Sequence, residues 1–132
     1  MKVEKLELVT VNVKNLDEAV KLFSDILGTT FVNLERDVEK TKQKIAVERT
    51  GLMELIESSP PMEKEGVRSP VFKVPNVEQA KAEMKQKGIR LIKEIERSGF
   101  KEAIFSPDDL HGIRLSLIEY EAPTLLDAVQ QK

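Results

Sequence analysis

The chain nearly repeats itself, and that constrains its fold more than any other feature. The run Val13-Lys14-Asn15-Leu16-Asp17-Glu18-Ala19, closed by Gly28, returns as Val74-Pro75-Asn76-Val77-Glu78-Gln79-Ala80, closed by Gly88. In each copy an apolar strand runs into an Asn that can cap a helix, and the helix stops at a glycine suited to left-handed backbone. Repetition of such a unit predicts two βα-led halves of one fold. The 132 residues suit a single compact domain able to bury its own core. The predicted layout is one domain over 1–132, with a first module at 1–57, a linker at 58–66, a second module at 67–120 and a C-terminal helix within 121–132.

Periodicity fills in the elements. Alternating Val and Leu predict a strand at 3–13. Leu16, Ala19, Val20, Phe23, Ile26 and Leu27 recur at helical spacing, so a helix is expected at 16–27, with Asn15 as its cap and Glu18 three residues on. Strand-like stretches follow near 29–36, 43–49 and 51–57, with Gly51 at the last tight turn. Ser58-Ser59-Pro60-Pro61 through Gly66 has turn residues and no apolar period, hence the linker. The second half predicts a strand at 67–74, a helix from Val77 to Lys87, and strands near 89–96, 101–105 and 112–119. Thr124 can cap a last amphipathic helix with Leu125, Leu126 and Val129 on one side, packed outside or against a second subunit.

Composition excludes several functions. There is no cysteine, hence no disulfide, thiolate metal site or cysteine nucleophile. No leader-like or membrane-spanning apolar run occurs, which points to a soluble, cytoplasmic protein without a membrane role. The 21 basic and 23 acidic residues are interspersed, and aromatics make up 5%, so neither a phosphate-tracking stripe nor a stacking platform for nucleic acid is expected. Charged runs at 35–44 and 81–87 read as solvated faces and helical ion pairs. The six glycines are scattered singly, which gives no phosphate-cradling loop. His111, the sole histidine, sits in the turn-rich Ser106-Pro107-Asp108-Asp109-Leu110-His111-Gly112 and reads as an exposed turn residue.

A βαβββ unit used twice resembles the vicinal oxygen chelate superfamily, which includes glyoxalase I, methylmalonyl-CoA epimerase, bleomycin-resistance proteins and extradiol dioxygenases. The local match is strongest to the epimerases, through the first repeat, Met53-Glu54-Leu55-Ile56-Glu57, Lys87-Gly88-Ile89-Arg90-Leu91-Ile92, Phe105-Ser106-Pro107 and His111-Gly112-Ile113. The resemblance implies an α+β fold in which two βαβββ modules form a cupped mixed sheet, helices lie on its convex face, and a short C-terminal helix follows.

Strand alternation assigns the faces. Val9, Val11 and Val13, Met53 and Leu55, Pro70, Phe72 and Val74, and Ile113, Leu115 and Leu117 form an apolar face for the helices. The other face is mixed: Leu8, Thr10 and Asn12; Leu52, Glu54 and Ile56; Ser69, Val71 and Lys73; Arg114, Ser116 and Ile118. Apolar area with a few placed polar groups suits a small organic ligand. Leu8, Thr10, Asn12, Leu52, Ser69, Val71, Arg114 and Ser116 are the candidate ligand-binding residues.

In the superfamily this face holds a divalent metal, and the resemblance places Leu8, Glu54, Ser69 and Ser116 at the ligand positions. Only Glu54 is a metal ligand by type, so no metal and no cofactor is expected. Glu54 has two readings: a carboxylate neutralised by a neighbour such as Arg114 or Lys73, or a catalytic acid or base whose pKa burial raises. The hydroxyl and amide residues either line a cavity or satisfy one another. The expected function is metal-free binding of a small organic molecule in the concave cavity, as in bleomycin-resistance proteins, by a homodimer. The alternatives are an isomerase or lyase of glyoxalase or epimerase type using Glu54, with or without a rebuilt metal site, and a purely structural domain.

Overall fold

The computed structural model describes residues 1–38, 41–58 and 64–130. Positions 59–63 of the expected linker, 39–40 of the charged run and 131–132 of the terminal stretch lie outside the described residues. The first half consists of β1 (Lys5–Val13), α1 (Leu16–Leu27), β2 (Phe31–Val38), β3 (Thr41–Glu48) and β4 (Met53–Glu57). The second consists of β5 (Gly66–Lys73), α2 (Val77–Gln86), β6 (Leu91–Glu96), β7 (Lys101–Phe105) and β8 (Leu115–Glu119), followed by α3 (Leu125–Val129). Both halves are βαβββ and the class is α+β.

The repeated caps work as the sequence predicts. The Asn15 side chain accepts from the Glu18 N–H at 3.0 Å and that of Asn76 from the Gln79 N–H at 2.9 Å. Gly28 closes α1 with φ 64°, a conformation that costs other residues about 1 kcal/mol or more. Several strands start later than alternation alone predicts, because turn hydrogen bonds claim their first residues. Thr29 N–H bonds the Ser24 carbonyl, Ile89 N–H that of Met84, and Gly51 N–H that of Glu48. Before β8, His111 and Gly112 both have positive φ, 55° and 85°, so the strand starts at Leu115 rather than 112.

The chain divides into two compact units, Leu8–Arg68 and Ser69–Lys132 with Met1–Glu7. In the first, the strand order is β2-β3-β4-β1, antiparallel except for the parallel pair β4 and β1. The other unit has the order β5-β8-β7-β6, with β5 and β8 parallel and the rest antiparallel. The crossover helix of each unit therefore returns the chain so that the fourth strand lies beside the first.

Each helix covers one face of its own sheet. Leu16 of α1 packs with Val13, Ala46 and Leu55, joined by Ala19, Val20, Phe23, Val11 and Met53. Val77, Ala80 and Met84 of α2 pack with Val74, Ala103, Phe105 and Leu117. Burial of each large side chain contributes about 1.5–3 kcal/mol before entropy is counted. Three expected core residues fall outside. Ile26 is 60% exposed, since it lies about 80° around the helix from Leu16. Leu27 ends the helix and is also exposed, as is Ile113, which precedes β8 in the turn. In α3, Leu125 and Ala128 are the buried pair, spaced i,i+3, whereas Leu126 and Val129 are half-buried. Leu125 and Ala128 are thus buried within the chain itself. Among the described residues no helix is long and apolar enough to cross a membrane.

Candidate functional site

Register places the polar candidates of the first unit on the sheet face turned away from α1. Thr10 is level with Glu54, Glu54 with Val47, Ile56 with Ile45, Ile45 with Leu34, and Gln43 with Arg36. Leu8, Thr10, Asn12, Glu54 and Ile56 are all buried on this face, with Ile45 and Val47 beside them. A carboxylate thus stands in mainly aliphatic surroundings.

The cation that answers it is Arg36. Its Nη1 lies 3.6 Å from Glu54 Oε1, and their side chains retain 23% and 10% exposure. Burial pushes the Glu54 carboxyl above its usual range, and attraction by Arg36 and Arg68 opposes that shift. Arg36 in turn donates through Nε to Gln43 Oε1 at 2.9 Å. This corrects the expected partners: the neutralising residue is neither Lys73 nor Arg114. Lys73 pairs with Glu4 at 3.5 Å and lies 4.1 Å over the Tyr120 ring.

Arg36 also corrects the reading of 35–44 as a solvated run. The residue was missed because it was counted with its charged neighbours. The period of two that assigned the other strands sets Val32, Leu34 and Arg36 on one side of β2, and this was the available signal.

The other candidates occupy varied places. Asn12 accepts a hydrogen bond from Ser58 Oγ at 3.2 Å. Leu52 is not a strand residue: it is 54% exposed in the bend before β4, where its N–H donates to Glu48 Oε2 at 3.2 Å. In the second unit Ser69 and Ser116 are buried with their hydroxyls 3.4 Å apart, and Val71 is level with Ser116. Arg114 lies just before β8 and is half-buried. His111 is exposed in its turn.

Two further buried acids escaped sequence reasoning. Glu48 is fully buried and accepts from the Thr29 and Thr50 hydroxyls and from the N–H groups of Thr50 and Leu52. Burial raises its pKa, but these hydrogen bonds outweigh that and hold the carboxyl below its usual range. It braces the β3–β4 turn. Glu7 accepts from the Tyr120 hydroxyl and lies 3.6 Å from Lys5 Nζ; burial first, then Glu7, raises the phenol pKa.

The residues at the inferred metal positions do not fit a metal. Leu8 offers no donor atom, the Ser69 and Ser116 hydroxyls lie 3.4 Å apart, and Glu54 faces the guanidinium of Arg36, whose charge repels a divalent cation. Among the described residues no three His, Cys, Asp or Glu side chains gather as a ligand set.

A family model described as the glyoxalase/bleomycin resistance protein/dioxygenase superfamily matches residues 5–117. No curated protein matches the chain. Among solved structures, a Streptomyces coelicolor methylmalonyl-CoA epimerase variant in complex with 2-nitronate-propionyl-CoA is similar with a TM-score of 0.77 at 17% identity, covering 93% of this chain and 99% of that one. The methylmalonyl-CoA epimerase from Mycobacterium tuberculosis gives 0.75 at 20% identity, with 95% and 93% covered. A hypothetical protein from Bacillus halodurans gives 0.76 at 20% identity, with 91% and 96% covered. At these identities the likeness is one of fold.

Proposed function

The chain belongs to the glyoxalase/bleomycin resistance protein/dioxygenase superfamily, and from that premise we propose that it binds a small organic molecule without a metal, on the strand face that carries Glu54. The observation that carries this reading is the Arg36–Glu54 pair, half-buried to buried, on a face otherwise rich in Leu8, Ile45, Val47 and Ile56. Apolar area supplies affinity, and one placed charge pair supplies orientation. Thr10, Asn12 and Leu52 belong to the same proposal on the first unit, and on the second unit, taken by itself, Ser69, Val71, Ser116 and Arg114 are the proposed ligand-binding residues.

Thermal-shift screening against hydrophobic drugs, acyl-CoA thioesters and small keto acids tests it. A ligand selective for the folded state raises the melting temperature with its occupancy. Hits confined to one chemical class and altered in affinity by Glu54→Gln are expected; a flat screen would count against binding. A calorimetric titration with Zn, Mn and Ni checks the metal-free part, which fails if one equivalent binds tightly and Glu54→Ala abolishes it. We also take the protein to be a cytoplasmic homodimer, which light scattering and cell fractionation would check. Leu22 and Ile26, exposed one turn apart on α1, support self-association.

One observation favours a second reading, an isomerase or lyase. Burial lifts the Glu54 carboxyl toward the range useful to a general acid or base. Deuterium uptake next to the carbonyl of an acyl thioester, seen with the native protein and lost in Glu54→Gln, would support it.

A further inference from the structure

We propose that Arg36 receives the anionic end of the ligand, so that the site selects organic carboxylic acids with an apolar body; this rests on the binding reading above. Three features of the pair lead there.

The first is reach. Arg36 is level with Gln43 on β3, whereas Glu54 is level with Val47, four residues further along that strand, or about 13 Å. The arginine therefore runs diagonally along the aliphatic face instead of pointing into solvent from the hairpin. An apolar body laid on that face would have its charged end beside the guanidinium.

The second is how the guanidinium is held. Nε is tied to Gln43 Oε1 at 2.9 Å, which fixes the plane of the fork. Nη1 stands 3.6 Å from Glu54 Oε1, longer than the roughly 2.7–2.9 Å of a charge-assisted hydrogen bond. The terminal nitrogens are thus neutralised at a distance but keep hydrogen-bonding capacity. A planar carboxylate matches that capacity, because guanidinium donors are spaced for two parallel bonds.

The third is access. The cation keeps 23% side-chain exposure and the carboxylate 10%, so an arriving group meets Arg36 first. A cationic ligand would have to pass the like charge of Arg36 to reach Glu54. Glu54 then acts as a counter-ion that stabilises Arg36 in the free protein.

The test compares octanoate, octanamide and octylamine, which share an apolar chain and differ in the end group. Binding to the full chain is followed by calorimetry. Native protein should bind octanoate at least about tenfold more tightly than octanamide, the ratio expected where a charge-assisted pair adds some 1.4 kcal/mol. Arg36→Gln should reduce octanoate to the affinity of octanamide, and Gln43→Leu, which frees Nε, should lose part of the preference. The comparison in native protein stands even if a variant fails to fold. Equal binding of octanoate and octanamide, tighter binding of octylamine, or an unchanged preference in folded Arg36→Gln would overturn this inference and leave the binding reading intact. Failure of all three to bind overturns this inference, and a flat thermal-shift screen is what overturns the binding reading.

Discussion

Each module carries an arginine two residues past an apolar residue of its second strand, Leu34 or Ile95, and the two hairpins treat it differently. In the first, Leu34 is level with Ile45 and Arg36 with Gln43; in the second, Ile95 is level with Glu102, and Arg97 N–H bonds the Phe100 carbonyl. The β2–β3 ladder continues past Arg36 to Val38 and Thr41, so Arg36 is held inside a strand and its side chain lies along the sheet. The β6–β7 ladder ends at Glu96 and Lys101, so Arg97 falls in the turn, exposed, with Nη1 on the Glu96 carbonyl at 3.1 Å. Where a cation is held over the face, the fourth strand carries Glu54; in the other module the corresponding position is Ser116, facing Ser69. The buried acid on this sheet face, Glu54, is met by a base that its hairpin is long enough to deliver, whereas the buried Glu48 is satisfied by hydroxyl and N–H donors alone.

The most severe way to break that comparison is to give the second module the acid without the base. Ser116 is fully buried, level with Val71 and Ile104. Ser116→Glu should destabilise on the order of 3–5 kcal/mol, through an uncompensated buried charge and overpacking. Urea unfolding checks it. A loss below about 1 kcal/mol would mean that the second module already supplies a cation to this position.

The reverse experiment removes the base from the first module. Arg36→Leu should cost about 2–3 kcal/mol near neutral pH, less than a fully sealed pair, because Glu54 can take up a proton instead. Arg97→Leu, at the corresponding exposed position, should stay within about 0.5 kcal/mol. The pH dependence has a definite sign. The folded-state pKa of Glu54 is raised above its ordinary 4.5, so the folded state binds the proton more tightly. Its contribution to stability is greatest below 4.5 and is lost as pH rises through the raised value. Arg36→Leu should steepen that loss by removing the opposing attraction, and Glu54→Gln should flatten it. Denaturation midpoints across about pH 4–8 distinguish the two.

This contrast also explains what was legible in the sequence. Caps, helices and strand faces rest on spacing within one element, so Asn15, Gly28, Asn76 and the helix-facing Val11, Val13, Leu55, Val74 and Leu117 were readable. Glu54 could be assigned a face for the same reason. Its partner could not, since the pairing of Arg36 with Glu54 depends on two inter-strand registers and a hairpin length. Lys73 and Arg114 carried the right charge but not the right register. Leu52 failed for a local reason: Glu48 captures its N–H and turns the chain before β4 begins. The expected start of β8 at 112 failed similarly, to consecutive left-handed residues at His111 and Gly112.

The gentlest probe asks whether the modules are equivalent wherever no charge is involved. Asn15 and Asn76 are extended at φ −128° and −150°, each accepting from the N–H three residues on, at 3.0 and 2.9 Å. Both caps are exposed, so neither change adds a cavity or a buried charge. Asn15→Ala and Asn76→Ala should each cost about 1 kcal/mol, because a first-turn N–H loses its acceptor. The double variant should cost the sum, since the caps share no partner. Thermal melts of the three variants measure this. Equal, additive losses here, beside unequal effects at Arg36 and Arg97, would show that the repeat governs the scaffold while the site belongs to one copy. A clearly larger loss at either cap would break the equivalence even though the next N–H is held alike in both modules, that of Leu16 by Glu57 and that of Val77 by Glu119, each at 2.9 Å.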